Sequence, residues 1–204
     1  MVVLYAYISN ISYLSFLILI SSFALHIYSP DKILFLDGVQ QSSLHGEAAN
    51  HEALVHPAML AHNNPKRVAI IGGGEGATLR EVLKHKSVEH VVMIDIDKEL
   101  INLCREHLPE FSDCSKFEGF FADSCFDDSR ASILFEDAFA YFIDRFGTDT
   151  SSGSEADKFD VIIMDALDQD KAVDIVGNLY TGNNLANSLY NALTDEGVVS
   201  LHFS

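Results

Sequence analysis

The stretch RVAIIGGGEGATLREVLKHKSVEHVVMIDID, Arg67 to Asp97, decides the fold. A short apolar run, Arg67 to Ile71, leads into a glycine loop, Gly72 to Gly76. The pattern after it predicts a helix from Ala77 to His85 and a second strand from Val91 to Ile94. Glycines between a strand and a helix let the backbone turn tightly and let a ligand approach closely, which singles out Gly72, Gly74 and Gly76. Asp95 ends the second strand, about twenty residues beyond the loop, where an acid accepts hydrogen bonds from ribose hydroxyls.

The alternation continues outward. Lys98 to Leu108 reads as a helix, Ile133 to Phe135 as a third strand and Val161 to Met164 as a fourth. Leu185 to Leu193 reads as a helix and Val198 to Phe203 as a fifth strand. Apolar strands alternating with amphipathic helices predict a parallel sheet covered by helices on both faces. Residues 109–132 and 147–158 read as loops or insertions. Upstream, Lys32 to Leu36 reads as a strand followed by an Asp37-Gly38 turn. Glu47 to His62 reads as a helix with Ala53, Leu54, Pro57, Ala58 and Leu60 on or near its inner side. Asn63-Asn64-Pro65 marks a break.

The chain has 204 residues, 48% hydrophobic and 21% charged, which excludes a disordered or disulfide-dense chain. Thirteen basic side chains against 30 acidic ones give a net charge of −17. That excess argues against a nucleic-acid partner, which needs Lys and Arg to displace counterions, and suits small cationic ligands. Cys104, Cys114 and Cys125 form no Cys-x-x-Cys pair and are expected to be reduced thiols in an intracellular protein. Residues 1–30 carry no Asp, Glu, Lys or Arg. Val2 to Tyr28 is long enough for a membrane anchor, though its polar residues weaken a span and it lacks the basic flank of a signal peptide; the strands of a small β region and a wrongly assigned chain start are the alternatives. The expected organisation is an apolar segment, 1–28, a small β region with a linking helix, 29–63, and a parallel α/β domain, 64–204.

Two acidic features carry chemistry. Glu75 lies inside the glycine loop, where a carboxylate would repel the pyrophosphate of a dinucleotide seated at the helix N-terminus. It favours a sulfonium nucleoside, more so one bearing a free amine. Asp165 and Asp168 follow the fourth strand, at the carboxyl ends where ligands gather in parallel sheets. Two carboxylates there can hold a cation and take its proton. Residues 136–174 hold eleven acids and three bases, with Glu136-Asp137 at the end of the third strand. His51 and His56 suggest a zinc pair but stand five residues apart, about 140° around a helix, so they do not share a face. No metal is expected.

These residues resemble the polyamine aminopropyltransferases, the spermidine, spermine and thermospermine synthases. The resemblance rests on ILFLDGVQQSS (Ile33 to Ser43), GEAANHEALVHPAML (Gly46 to Leu60) and the Arg67 to Asp97 block. EDA (Glu136 to Ala138), FDVIIMDALD (Phe159 to Asp168) and LYTG (Leu179 to Gly182) follow in the same order. It implies an α/β, Rossmann-like fold of the S-adenosylmethionine-methyltransferase type, preceded by a small N-terminal β region. The implied reaction moves the aminopropyl group of decarboxylated S-adenosylmethionine, a co-substrate rather than a prosthetic group, to putrescine or spermidine. By resemblance Asp165 binds the attacking amine and takes its proton, and Asp168 is a second amine-binding acid. Glu75 holds the donor's amine, Asp95 the ribose and Asp137 the adenine end. Gln41, Glu52 and Tyr180 are further substrate-binding positions. A homodimer and a cytoplasmic location are implied, with membrane tethering through residues 2–28 as the alternative.

The chain departs from the pattern at Asn50, where the family has Tyr, at Gln169, where it has Pro, and at His202, where it has Gln. The family also continues past the position of Ser204, which gives the expectation of a truncated or divergent member. The competing expectations are a methyltransferase on the same fold, or a non-catalytic subunit pairing with a complete homologue.

Overall fold

The computed structural model describes residues 2–7, 15–20, 31–117, 122–147, 155–166 and 183–201. The chain divides into two compact units, Met1–Asn50 and His51–Ser204.

The first unit is an antiparallel meander of four strands, β1 (Val2–Tyr7), β2 (Ser15–Ile20), β3 (Lys32–Leu36) and β4 (Val39–Ser43), in that order. Residues 2–28 thus contain two strands, and no helix among the described residues is long and apolar enough to cross a membrane. Asp37 and Gly38, both with positive φ, make the two-residue turn between β3 and β4 that the sequence signals. The register shifts between Leu34 and Phe35, which leaves Gln41 as the unpaired residue of a bulge on β4.

Helix α1 (Glu47–Ala61) leads into the second unit. Its inner face is His51, Leu54, Val55, Ala58 and Met59, the i, i+3, i+4 stripe of an amphipathic helix. That corrects the expected inner side: Ala53 and Pro57 face outward and Leu60 is 75% exposed. Pro57 is tolerated within the helix on this solvent side, where water can satisfy the carbonyl its missing N–H leaves free.

The sheet of the second unit is wholly parallel. Its strands are β5 (Arg67–Gly72), β6 (His90–Asp95), β7 (Ala131–Phe135), β8 (Phe159–Asp165) and β9 (Leu193–Leu201). Their spatial order is β7-β6-β5-β8-β9. The strand period of two sorts the side chains cleanly. Val68, Ile70, Val91, Met93, Val161 and Ile163 face α1, α2 (Ala77–Leu83) and α3 (Lys98–His107). Ala69, Ile71, Val92, Ile94, Ile162 and Met164 face α4 (Ala138–Phe146) and α5 (Asn183–Asn191). Helices cover both faces, as the sequence predicts. Each fully buried Val, Ile, Leu or Met contributes roughly 1.5–3 kcal/mol.

Three details differ from the sequence reading. Residues 138–146 form α4, whose N-terminus Asp137 caps by accepting from the Phe139 and Ala140 amides at 2.8 and 3.2 Å. Strand β9 begins at Leu193 rather than Val198. Cys114 and Cys125 are joined in a disulfide, their Cα atoms 5.1 Å apart, and only Cys104 is free. The expectation of three reduced thiols rested on the lack of a Cys-x-x-Cys pair. The strap between α3 and β7 folds back on itself at an Asp113–Ser124 bridge and brings the two sulfurs together.

Candidate active site

The sheet is entered at its centre. The chain builds β5, β6 and β7 outward, then returns to lay β8 on the other side of β5. Helix α2, after β5, covers one face and α5, beyond β8, covers the other, so the carboxyl ends of β5 and β8 form the switch point where ligands bind in open α/β sheets. Gly72, the last residue of β5, pairs with Asp165, the last of β8. The two sequence signals farthest apart in the chain thus meet at this switch point.

Two glycines are required by close approach. A Cβ on Gly72 would lie 2.6 Å from the Asp165 carbonyl oxygen, and φ there is +80°. A Cβ on Gly74 would lie 2.9 Å from Asp95 Oδ2 and from the Leu100 side chain. The Gly73 amide donates to the Asp165 carbonyl at 3.2 Å, which ties the loop to β8. Gly76 is the N-cap of α2 and sits against Phe126 and Ser112.

Around this loop stand three carboxylates. Asp165 accepts a 2.6 Å hydrogen bond from Thr78 Oγ1, on the first turn of α2. Glu75 Oε1 lies 3.0 Å from His51 Nε2 on α1. The donor atoms of His51, Glu75 and Asp165 lie within 4.8 Å of one another. Asp95, nearly buried, accepts from the Asp97 amide at 2.8 Å. Among the described residues no Lys or Arg pairs with Glu75, Asp95 or Asp165. The electrostatic consequence is direct. Burial, and then the charge of Glu75, push Asp165 up to about 7, against the pull of His51 and Thr78. Burial likewise raises Asp95 to about 6, opposed by its hydrogen bond from Asp97. Such a cluster is short of positive charge. One imidazole and two carboxylates can hold a divalent cation or an alkylammonium.

Other expected residues lie elsewhere. Asp137 is exposed at the end of β7 with one carboxylate oxygen engaged in the α4 cap. Glu52 groups with His56 and Glu81 rather than with Glu75. Gln41 belongs to the N-terminal unit. Asp168 and Tyr180 lie outside the described residues. Sequence reasoning missed His51 and Thr78 as partners of the acids. His51 stands on the buried stripe of α1 with Leu54, Val55, Ala58 and Met59, a period legible in the sequence, whereas Thr78 lies on a wholly buried helix and carried no such signal. The separation of His51 and His56 onto different faces holds, since His51 meets Glu75 while His56 meets His85 at 3.0 Å.

Residues 47–202 match the family described as the spermine/spermidine synthase domain. The chain belongs to this family. It is 47% identical over 137 residues to a polyamine aminopropyltransferase of Aeropyrum pernix, covering 67% of this chain and 38% of that protein. It is 42% identical over 168 residues to a polyamine aminopropyltransferase of Pyrobaculum calidifontis, covering 82% and 52%. The structure resembles spermidine synthase from Thermotoga maritima with a TM-score of 0.69 at 30% identity, covering 97% of this chain and 55% of that one. It also resembles a spermidine synthase in complex with the transition-state analogue AdoDATO, with a TM-score of 0.71 at 32% identity, covering 97% and 57%. The chain thus spans about half the length, or less, of the relatives it matches. The fold expected from the sequence, a Rossmann-like parallel sheet after a small β region, is the fold these relatives share.

Proposed function

We propose that this site transfers an aminopropyl group from decarboxylated S-adenosylmethionine to a di- or polyamine. The observation that carries the reading is the cluster of Glu75, Asp95 and Asp165 at the switch point, which no Lys or Arg side chain neutralises among the described residues. The donor is a sulfonium nucleoside with a primary ammonium, and the acceptor is an alkylammonium. Both bring the positive charge that the cluster lacks.

The chemistry follows from the placement. An alkylammonium has no lone pair, so it must lose a proton before attacking. Asp165, raised toward neutral pH by burial, is matched to accept it, a contribution of roughly 10²–10⁴-fold. The freed nitrogen lone pair attacks the carbon next to the sulfonium, the carbon–sulfur bond breaks, and the neutral thioether nucleoside leaves. Thr78 holds Asp165 in place, and His51 holds Glu75. Glu75 receives the donor's ammonium, and Asp95 the ribose hydroxyls. Holding two cations in line supplies the larger share of the acceleration. Asp168 and Tyr180 complete the amine site in this reading, Asp137 the adenine end, and Gln41 and Glu52 the substrate-binding set. The homodimer and the cytoplasmic setting rest on the resemblance alone.

Calorimetric titration with decarboxylated and intact S-adenosylmethionine tests the proposal. Glu75 repels the carboxylate of the intact form, so the decarboxylated form should bind more tightly. Tighter binding of the intact form would replace the reading with a methyltransferase. Binding of neither would favour a non-catalytic role.

A further inference from the structure

We infer that Cys114 and Cys125 form a reversible thiol–disulfide centre that controls the rigidity of the glycine loop. The bridge closes the strap between α3 and β7, and that strap is built onto the loop. Ser112, two residues before Cys114, and Phe126, next to Cys125, both press on Gly76. A Cβ on Gly76 would lie 2.7 Å from the Phe126 ring and 2.7 Å from Ser112 Cβ. Their segments meet again at the 3.4 Å contact between the Ser112 and Ser124 hydroxyls. Arg80 of α2 donates to the Phe111 carbonyl at 2.8 Å, and Arg105 of α3 pairs with Asp127. The disulfide thus locks two side chains, from opposite ends of the strap, against the one residue that caps α2.

Both sulfurs are buried, so exchange requires the strap to open locally. Ser115, Lys116 and Asp123, on either side of the bridge, are exposed, so opening starts from the surface and draws Cys114 and Cys125 out of the core beside α2. The partner is a dithiol, small or of the protein Cys-x-x-Cys type. Its thiolate attacks one cysteine sulfur, forming a mixed disulfide and releasing the other cysteine as thiolate. Its second thiol then displaces the first cysteine. Two electrons and two protons pass to Cys114 and Cys125, and the dithiol leaves as a disulfide. Once open, Phe126 and Ser112 are held together by the Asp113–Ser124 bridge and the Ser112–Ser124 contact without the covalent clip, and Gly76 loses a fixed buttress. That weakens nucleoside binding, a consequence that rests on the proposed function, whereas the loosening itself does not.

Mass mapping of the full chain without reductant should yield a cross-linked peptide pair containing Cys114 and Cys125, with Cys104 free. Three free thiols would overturn the inference. Hydrogen exchange with and without dithiothreitol then reads the coupling. Amides of residues 73–83 should exchange about tenfold faster after reduction, while those of β9 stay unchanged. Equal exchange in both states would overturn it. The Cys114→Ser/Cys125→Ser variant should exchange like the reduced protein and ignore the reductant; if it does not fold, the wild-type pair of measurements still decides. Methylthioadenosine, a neutral thioether nucleoside, should bind several-fold more weakly to the reduced protein. Binding in neither state would count against aminopropyl transfer and leave exchange to judge the redox centre.

Discussion

Helix α2 carries two carboxylate clusters of opposite character. At its start, Glu75 and Asp165 face each other with Asp95 nearby and, among the described residues, no Lys or Arg beside them. Near its end, Glu81 is fully buried yet saturated with charge. Lys84 Nζ donates to both its oxygens at 2.7 and 2.6 Å, Arg80 Nε donates at 2.9 Å, and His56 Nε2 lies 3.3 Å away. Lys84 and Arg80 answer the charge of Glu81 within the fold. Among the described residues the first cluster is answered only by His51, and the cost appears as the raised pKa values of Asp165 and Asp95. The lesson is that burial of an acid does not mark a site. Burial without a matching cation does, because the fold then holds a charge deficit that a ligand can fill.

Substitutions can break or sharpen this contrast. The largest effect is expected from Asp165→Asn, which keeps an acceptor for Thr78 but removes the proton acceptor. Transfer should fall by roughly 10²–10⁴-fold, measured as steady-state rate with putrescine or spermidine, while the fold persists. A loss under tenfold would remove Asp165 from the role of base. Glu81→Gln should act in the opposite sense. It leaves Arg80 and Lys84 facing a neutral group in the interior and should cost about 3–5 kcal/mol in urea unfolding. Were Glu81→Gln to leave stability unchanged, the second cluster would not be a structural network.

Glu75→Gln should weaken binding of decarboxylated S-adenosylmethionine roughly tenfold to a hundredfold, the worth of a charged hydrogen bond of about 1.5–3 kcal/mol. Methylthioadenosine, which lacks the amine, should bind as before. Equal losses for both ligands would place Glu75 on the nucleoside rather than on the amine.

The smallest effect is a slope. Asp165 and Asp95 are raised in the folded protein, from an ordinary 3.8 to about 7 and about 6. Between pH 4 and 7 the folded state binds more protons than the unfolded one, so these groups favour folding below pH 4 and lose that contribution as pH rises to about 7. Melting temperature should therefore gain from Asp165→Asn above pH 7, with the gain vanishing near pH 4. A gain independent of pH would mean that repacking, not charge, explains it.

Much of the second unit is legible in the chain. Runs such as Val91 to Ile94 are too short and too apolar for anything but a central strand, and Gly72 to Gly76 between strand and helix announces the ligand loop. The Arg67 to Asp97 block and the acids after β8 name the family. Local physics hid the rest. Helix α4 is short, and its aromatic face, Tyr141, Phe142 and Phe146, reads as strand as readily as helix until Asp137 caps it. The inner face of α1 depended on whether Pro57 would break it. The disulfide could not be read at all, because pairing of Cys114 with Cys125 needs the strap to fold back.

The sequence by itself therefore determined the parallel sheet, the glycine loop and the identity of the acids, since these follow from periodicity, backbone freedom and residue chemistry along a few neighbours. Only the tertiary structure decided which acids stand unneutralised, that His51 and Thr78 hold them, and that a cystine clip presses on Gly76. Those are properties of distance between residues up to 114 positions apart in the chain, from His51 to Asp165. Coulomb energy and burial are set by that distance in space, not by spacing in sequence.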